Sequence, residues 1–248
     1  MARVLVTGSS GAVARSIIPE LTAHGHEVRG FDRVPTARVA ESVVENIENA
    51  KAVRLAMQGM DTVIHLAAIP DDTDFHCLAG PNVMGLFNVM HAARELGVAR
   101  VILASSIQVV GRSLRGRGRV SVRDVAPGNH YALTKLWAEQ MGEMYSRCYG
   151  MSVIAVRIGW LVRSRDEAVA MLKRPHLSEI YLSASDAGRF FRCAVEAPKV
   201  GFAVVYAMSL EASSAFDLEP SRELLGFIPQ DRWPGGLGFE LPSFDSGG

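Results

Sequence analysis

A tyrosine and a lysine four residues apart, in His130-Tyr131-Ala132-Leu133-Thr134-Lys135, are the residues of this chain whose pairing has an immediate chemical use. On a helix the two side chains share one face, about a turn apart. An ammonium beside a phenol favours phenolate and would bring the tyrosine pKa down from ~10 towards a value where it can trade protons. The same spacing also occurs in ordinary surface pairs. It gains meaning only if the chain supplies a serine, a cofactor pocket and a substrate pocket around it. Ser106, at the end of an expected strand, is the candidate serine. Its hydroxyl could orient a substrate oxygen and stabilise charge developing there, while Tyr131 exchanges the proton.

The elements that must position these groups are legible from the N-terminus onwards. Val4, Leu5 and Val6 form the short apolar run of a strand buried on both faces. It ends in Thr7-Gly8-Ser9-Ser10-Gly11-Ala12-Val13-Ala14, and a helical pattern follows through Ile17, Ile18 and Leu21, with Pro19 as a possible kink. A second strand, His26 to Asp32, ends in an acid 18 residues after Ala14. This is the order of a βαβ dinucleotide unit, in which glycines permit close backbone approach and the helix N-terminus receives a pyrophosphate. Gly8, Ser10, Gly11, Ala12 and Val13 are the expected cradle, and Asp32 the acceptor for ribose hydroxyls. Asp32 favours NAD, because a 2′-phosphate would meet its charge. Arg33 and Arg38 could each pair with such a phosphate, which leaves NADP as second choice.

Further along, Ser42 to Asn46 reads as a third strand, Ala50 to Met57 as a helix, and Asp61 to Ala68 as a fourth strand. That strand finishes in Leu66, Ala67 and Ala68, where small residues let a flat ligand approach the backbone. His65 reads as a buried, hydrogen-bonded histidine. Asn82 to Leu96 is a long amphipathic helix closed by Gly97, and Val101 to Ala104 a buried strand leading into Ser105-Ser106. Five arginines and three glycines lie between 111 and 123, in a cationic stretch placed either as a lid over anionic substrate or as a solvated loop. The Tyr131–Lys135 helix runs to about Gly150. Strand Ser152 to Arg157, helix Asp186 to Glu196 and strand Gly201 to Tyr206 follow, and the tail beyond Pro229 reads as loop.

Alternating strands and helices imply an α/β fold, a doubly wound parallel sheet of Rossmann type with about seven strands. The expected organisation is a single domain, 1–248. Residues 1–158 and 186–206 form its dinucleotide-binding core, and 159–185 with 207–248 a small C-terminal substrate-binding portion. Lys+Arg and Asp+Glu number 26 each, so net charge gives no reason to expect nucleic acid or an anionic membrane. Cys77, Cys148 and Cys193 are scattered, with no metal-ligand spacing, which suits a reducing compartment. With no signal-peptide profile and no run long enough to span a bilayer, the expectation is a cytoplasmic protein without a metal.

With these pieces in place the chain resembles the extended short-chain dehydrogenases/reductases, the NAD-dependent epimerase/dehydratase family. Thr7 to Ala14 resembles the family's TGxxGxxG/A loop, His65-Leu66-Ala67-Ala68 its HLAA strand end, and Asn82, Gly85 and Asn88 its NxxGxxN helix. Ser105 to Gly111 resembles SSxxVYG with Val110 replacing tyrosine, and Tyr131 and Lys135 fit YxxxK, 25 residues after Ser106. Within the family the chain is most similar to uronate dehydrogenase-like members, through Val156-Arg157-Ile158-Gly159 and the stretch from Asp186 to Val205.

The resemblance implies hydride transfer between a nicotinamide cofactor and a secondary alcohol or hemiacetal of a small, sugar-like and possibly anionic substrate. Ser106, Tyr131 and Lys135 would be catalytic, with Asn82 supporting the Lys135 network. Asn46 and Ile47 would lie at the adenine, and Ile158 beside the cofactor. Ile107, Gln108, Trp160 and Met171 would line the substrate side, with core packing an equal reading of the last two. The sequence departs from uronate dehydrogenases there: Ile107-Gln108 replace Asn-His, Trp160 replaces serine, and Ala170 stands for the arginine that grips the sugar carboxylate. Lys173, Arg174 or the cationic stretch could compensate. The resemblance also implies a homodimer built from the Asn82 and Tyr131 helices. A nucleotide-sugar epimerase or dehydratase is the alternative, though only 91 residues follow Arg157 to grip a nucleotide. A non-catalytic NAD(P)-sensing protein is the other.

Overall fold

The computed structural model describes residues 1–111, 118–198, 200–237 and 239–240. Arg112, Arg115 and Arg117 of the cationic stretch lie outside the described residues.

Seven strands make one parallel sheet: β1 (Arg3–Thr7), β2 (Glu27–Asp32), β3 (Glu41–Val44), β4 (Thr62–His65), β5 (Arg100–Ser106), β6 (Ser152–Ile158) and β9 (Phe202–Ala207), in the order β3-β2-β1-β4-β5-β6-β9. A second, two-stranded parallel sheet joins β7 (Trp160–Leu161) to β8 (Tyr181–Leu182). The helices are α1 (Ala12–Ala23), α2 (Ala50–Met57), α3 (Phe75–Leu78), α4 (Gly85–Glu95), α5 (His130–Tyr149), α6 (Arg165–Leu172), α7 (Ala184–Glu196) and α8 (Glu219–Leu225). Helices cover both faces of the sheet, which is why its strands are apolar on both faces. On one face Ile17 and Leu21 of α1 meet Phe190 and Phe191 of α7 over Val4, Val6 and Ile154. On the other, Val53 of α2, Leu86 and Val89 of α4 and Ala138 of α5 pack on Leu5, Val63 and Leu103. Each large side chain so buried contributes about 1.5–3 kcal/mol.

Strand order reverses direction between β1, which is followed outward by β2, and β4, its other neighbour. Ligands of such sheets bind in the crevice at that point, beyond the carboxyl ends of the strands. The register brings Thr7 beside Phe31 and His65, and Ser106 beside Ile158, so all the expected site segments emerge from the same end.

Several local expectations are corrected. Pro19 sits on the exposed side of α1, and the helix runs through it from Ala12 to Ala23. The third strand is Glu41–Val44 and the fourth stops at His65. The helix expected from Asn82 instead begins as a π-helical segment, Ala79–Met84, before α4. The tail beyond Pro229 is irregular but anchored. The buried Asp186 carboxylate accepts from the backbone N–H groups of Gln230 and Asp231 at 3.0 Å each and from the Ser209 hydroxyl at 2.8 Å.

Candidate active site

The glycine loop is shaped by its neighbours. Gly8 has φ +70°, and a Cβ there would lie 2.6 Å from the Ala67 nitrogen, so only glycine lets the loop close on the end of β4. Gly11 caps α1 in an extended conformation without a side-chain cap bond, and no acidic residue occupies the first turn. The first N–H groups of α1 are thus free of side-chain acceptors, and with the positive helix end they suit a diphosphate. Ala12 and Val13 are half-buried beside them. Asp32, at the end of β2, accepts from the Ser10 N–H at 2.9 Å and so ties the loop to the strand that would carry the adenosine ribose. Arg33 and Arg38 are exposed and make no ion pair among the described residues. These features fit a nicotinamide dinucleotide.

The expected adenine contacts fit less well. Asn46 is exposed and shares two hydrogen bonds with Glu48 (3.2 and 3.3 Å). Ile47 is packed into the core, 5% exposed, against Gly85. Its side chain is a core residue, turned inward from the end of β3. Leu66, Ala67 and Ala68 are half-buried at the mouth of β4. Beneath them His65 is buried, its Nδ1 2.7 Å from the Thr7 hydroxyl, and burial pushes its pKa down to about 3. It is a neutral structural histidine.

Ser106, Tyr131 and Lys135 come together at the end of β5. The Ser106 hydroxyl accepts from the Gln108 N–H at 3.2 Å and is near enough to the Tyr131 phenol to act on its pKa. Asn129 caps α5 by accepting from the Ala132 N–H at 2.7 Å, and its amide donates to the exposed Gln108 side chain at 3.0 Å. The cap therefore fixes Tyr131 against the Ser106 turn. Lys135 is buried; its Nζ donates to the Ala104 carbonyl at 3.0 Å and lies 5.6 Å from the Tyr131 ring centre. Asn82 donates to the Ile69 carbonyl (3.1 Å) and the Thr134 hydroxyl (3.2 Å) and accepts from the Ile69 N–H (2.8 Å). It clamps the post-β4 segment to α5 through Thr134, the neighbour of Lys135.

The electrostatics differ from the expectation of a simple phenol–ammonium pair. Burial raises the Tyr131 pKa, the Ser106 hydrogen bond opposes it, Asp71 adds to it and Arg163 pulls the other way. Burial also lowers Lys135 to about 8. Loss of hydration outweighs attraction for the phenol, and the ammonium is turned to a backbone carbonyl. The groups that favour phenolate in this arrangement are Ser106 and Arg163.

Ile158 lies half-buried beside Ser106 in the register, and Ile107 is buried in a small cluster with Val110 and Tyr206. Trp160 is half-buried, with its indole N–H 3.4 Å from Glu167. Met171 is wholly buried with Val162, Ala168 and Tyr181, which favours core packing of its two readings. Arg119 donates to the Phe216 carbonyl at 3.2 Å, towards the 216–217 segment.

Three groups were missed from sequence. Arg163 and Asp71 both act on Tyr131. Ser164-x-x-Glu167 is a capping-box pattern that could have drawn attention to the start of α6 and hence to Arg163. Beneath the site, Glu139, one turn beyond Lys135, forms a buried ion pair with Arg157 (2.8 and 2.9 Å). Ser105 donates to the same carboxylate at 2.5 Å, while Arg157 also donates to the Asp124 carbonyl (3.0 Å) and the Tyr206 hydroxyl (3.1 Å). This network joins α5 to β5, β6 and β9. Among the described residues no group of acidic, histidine or cysteine side chains could hold a metal, and no helix is long and apolar enough to cross a membrane.

Residues 4–168 match the model of the NAD dependent epimerase/dehydratase family. A uronate dehydrogenase of Pseudomonas putida is 26% identical over 92% of this chain and 84% of its own. An L-arabinose 1-dehydrogenase (NAD(P)(+)) of Haloferax volcanii is 29% identical over 93% and 97%. The crystal structure of a glucuronic acid dehydrogenase from Chromohalobacter salexigens superposes with a TM-score of 0.80 at 30% identity, covering 93% of this chain and 85% of that one.

Proposed function

We infer that this chain, which belongs to the NAD-dependent epimerase/dehydratase family, is a dehydrogenase that oxidises a carbinol or hemiacetal carbon of a small sugar-like substrate. The observation that carries the reading is the convergence of Ser106, Tyr131 and Lys135 at the sheet end that also presents the glycine loop. The relatives named as sugar and sugar-acid dehydrogenases support it.

Gly8, Ser10, Gly11, Ala12 and Val13 would hold the cofactor's diphosphate, and Asp32 its ribose. Asp32 favours NAD over NADP, since its charge would oppose a 2′-phosphate. When bound, the nicotinamide supplies the hydride acceptor, or the donor in reverse. Tyr131 takes the substrate hydroxyl proton, or returns it to a carbonyl. Ser106 orients the same oxygen and stabilises its developing charge. Lys135 adds positive charge beside the phenol, and Asn82 steadies that helix through Thr134. The segments after β6 and β9 form the substrate side, with Gln108 and Trp160 on it.

Phe75, Met84, Phe87, Leu133 and Trp137 are large apolar side chains left exposed on α3, α4, α5 and the π-helical segment. They support a homodimer built on those helices. The free cysteines Cys77, Cys148 and Cys193 suit a reducing compartment such as the cytoplasm.

Tyr131→Phe tests the assignment. Turnover, followed by the absorbance of reduced cofactor across sugars, uronates and sugar phosphates, should fall by about 10²-fold or more, while NAD titration is unchanged. Retained turnover would remove Tyr131 from its role.

A further inference from the structure

In the turn that follows Ser106, Ile107, Val109 and Val110 are buried and Gln108 is exposed. The turn is held on two sides. The Gln108 N–H donates to the Ser106 hydroxyl at 3.2 Å, and the Ala126 N–H donates to the Val109 carbonyl at 2.8 Å. The second bond brings the 126–129 segment back beside the turn, so closely that a Cβ on Gly111 would collide with the Ala126 carbonyl. Asn129, the cap of α5, thereby comes within reach of Gln108. The Ala132 N–H can only donate, so its 2.7 Å bond to Asn129 fixes Oδ1 on the helix side and turns Nδ2 away from the helix. Nδ2 can only donate in its turn, and it holds the Gln108 Oε1 at 3.0 Å. The backbone of α5 thus dictates which way round the Gln108 amide stands. Its Nε2 group carries two N–H donors and has no partner among the described residues. The amide bridges the Ser106 turn to the first turn of the Tyr131 helix.

We propose that Asn129 is a positioning residue for specificity, locking Gln108 so that the substrate meets an N–H donor and never the amide oxygen. The inference rests on the dehydrogenase reading above, in which Ser106 and Tyr131 hold the reacting oxygen beside this amide. Gln108 then selects an oxygen that accepts, whether of a carbonyl, carboxylate, ether or hydroxyl, and rejects an ammonium, which has donors only. A glutamine without the lock could turn over and serve a donor equally well. The polarity presented to the substrate is therefore set by the α5 backbone, through the Asn129 and Gln108 hydrogen bonds.

The test separates the cap from the lock. Aspartate and serine cap helices about as well as asparagine, so Asn129→Asp and Asn129→Ser should each melt within about 2 °C of the parent. Asn129→Asp has no N–H to give, so Gln108 turns Nε2 to the carboxylate and presents Oε1 to the substrate. Asn129→Ser only releases Gln108. With the sugar, uronate or sugar phosphate that is turned over best, Asn129→Asp should raise KM by about tenfold, the cost of one mismatched hydrogen bond, and Asn129→Ser by less. The kcat should stay within about twofold of the parent, because the lost contact holds substrate and transition state alike. In a Gln108→Ala background Asn129→Asp should raise KM no further. An unchanged KM in folded Asn129→Asp would overturn the proposal. So would the same rise in the Gln108→Ala background, where the new charge could act only directly. A fall in kcat at constant KM would overturn it too, leaving Asn129 as the support of Tyr131 alone. Absence of turnover with every substrate tried, with NAD still bound, would instead refute the dehydrogenase reading, and this inference would fall with it.

Discussion

Replacing Glu139 with leucine should show how much of the fold depends on the ion pair under the Tyr131 helix. The Arg157 side chain is 1% exposed and that of Glu139 3%. Removing the carboxylate leaves the guanidinium with the Asp124 carbonyl and the Tyr206 hydroxyl, and strands the Ser105 hydroxyl. Breaking one side of a buried pair costs about 3–5 kcal/mol, because the remaining charge keeps its desolvation penalty. A domain has only about 5–15 kcal/mol in total. For a chain of this size each kcal/mol moves the melting midpoint by about 2–4 °C, so the midpoint should fall by about 6–20 °C. Thermal unfolding followed by circular dichroism measures it. The double variant Glu139→Leu/Arg157→Met removes both charges and should recover much of the loss. A single variant melting within about 2 °C of the parent, or a double variant worse than the single, would refute this reasoning.

Asp32→Ala should weaken NAD binding and relatively favour NADP, read from titration of both cofactors; an unchanged ratio would remove Asp32 as the discriminator. Burial lowers Lys135 from 10.5 to about 8, so between those values the unfolded chain holds more protons and stability rises with pH, while the full penalty acts below 8. Lys135→Met should therefore raise stability at pH 7 by about 1–3 kcal/mol, flatten the alkaline slope and abolish turnover. A lowered midpoint at pH 7 would contradict it. Light scattering should show a dimer that Trp137→Glu converts to monomer, and a monomeric parent would refute the dimer.

The parts of the site that sequence reveals are those written in local order. The glycine loop between a strand and a helix, Asp32 at the next strand end, and Tyr131 and Lys135 one helical turn apart each follow from spacing within a few residues. The seven-stranded sheet follows from the same alternation. What escapes are the groups whose role depends on remote packing. Trp160–Leu161 and Tyr181–Leu182 are two-residue strands, too short to show a period, and Met171 joins a core that exists only once they pair. The Tyr131 pKa rises because distant segments bury it and bring Asp71 near, against the opposing pull of Arg163, which the four-residue spacing could not disclose. The resemblance places Ile47 at the adenine, but that Gly85 opens a socket drawing its side chain inward is visible only once α4 packs against it.

The π-helical segment Ala79–Met84 behaves like a one-residue insertion written into a helix. An α-helix advances by roughly 100° per residue. Deleting one residue from this turn would let it relax into regular helix, with better hydrogen bonds, and would swing Asn82 away from Ile69 and Thr134. The more stable backbone would then be the less useful one. The irregularity is a compromise between helical regularity and the aim of one amide.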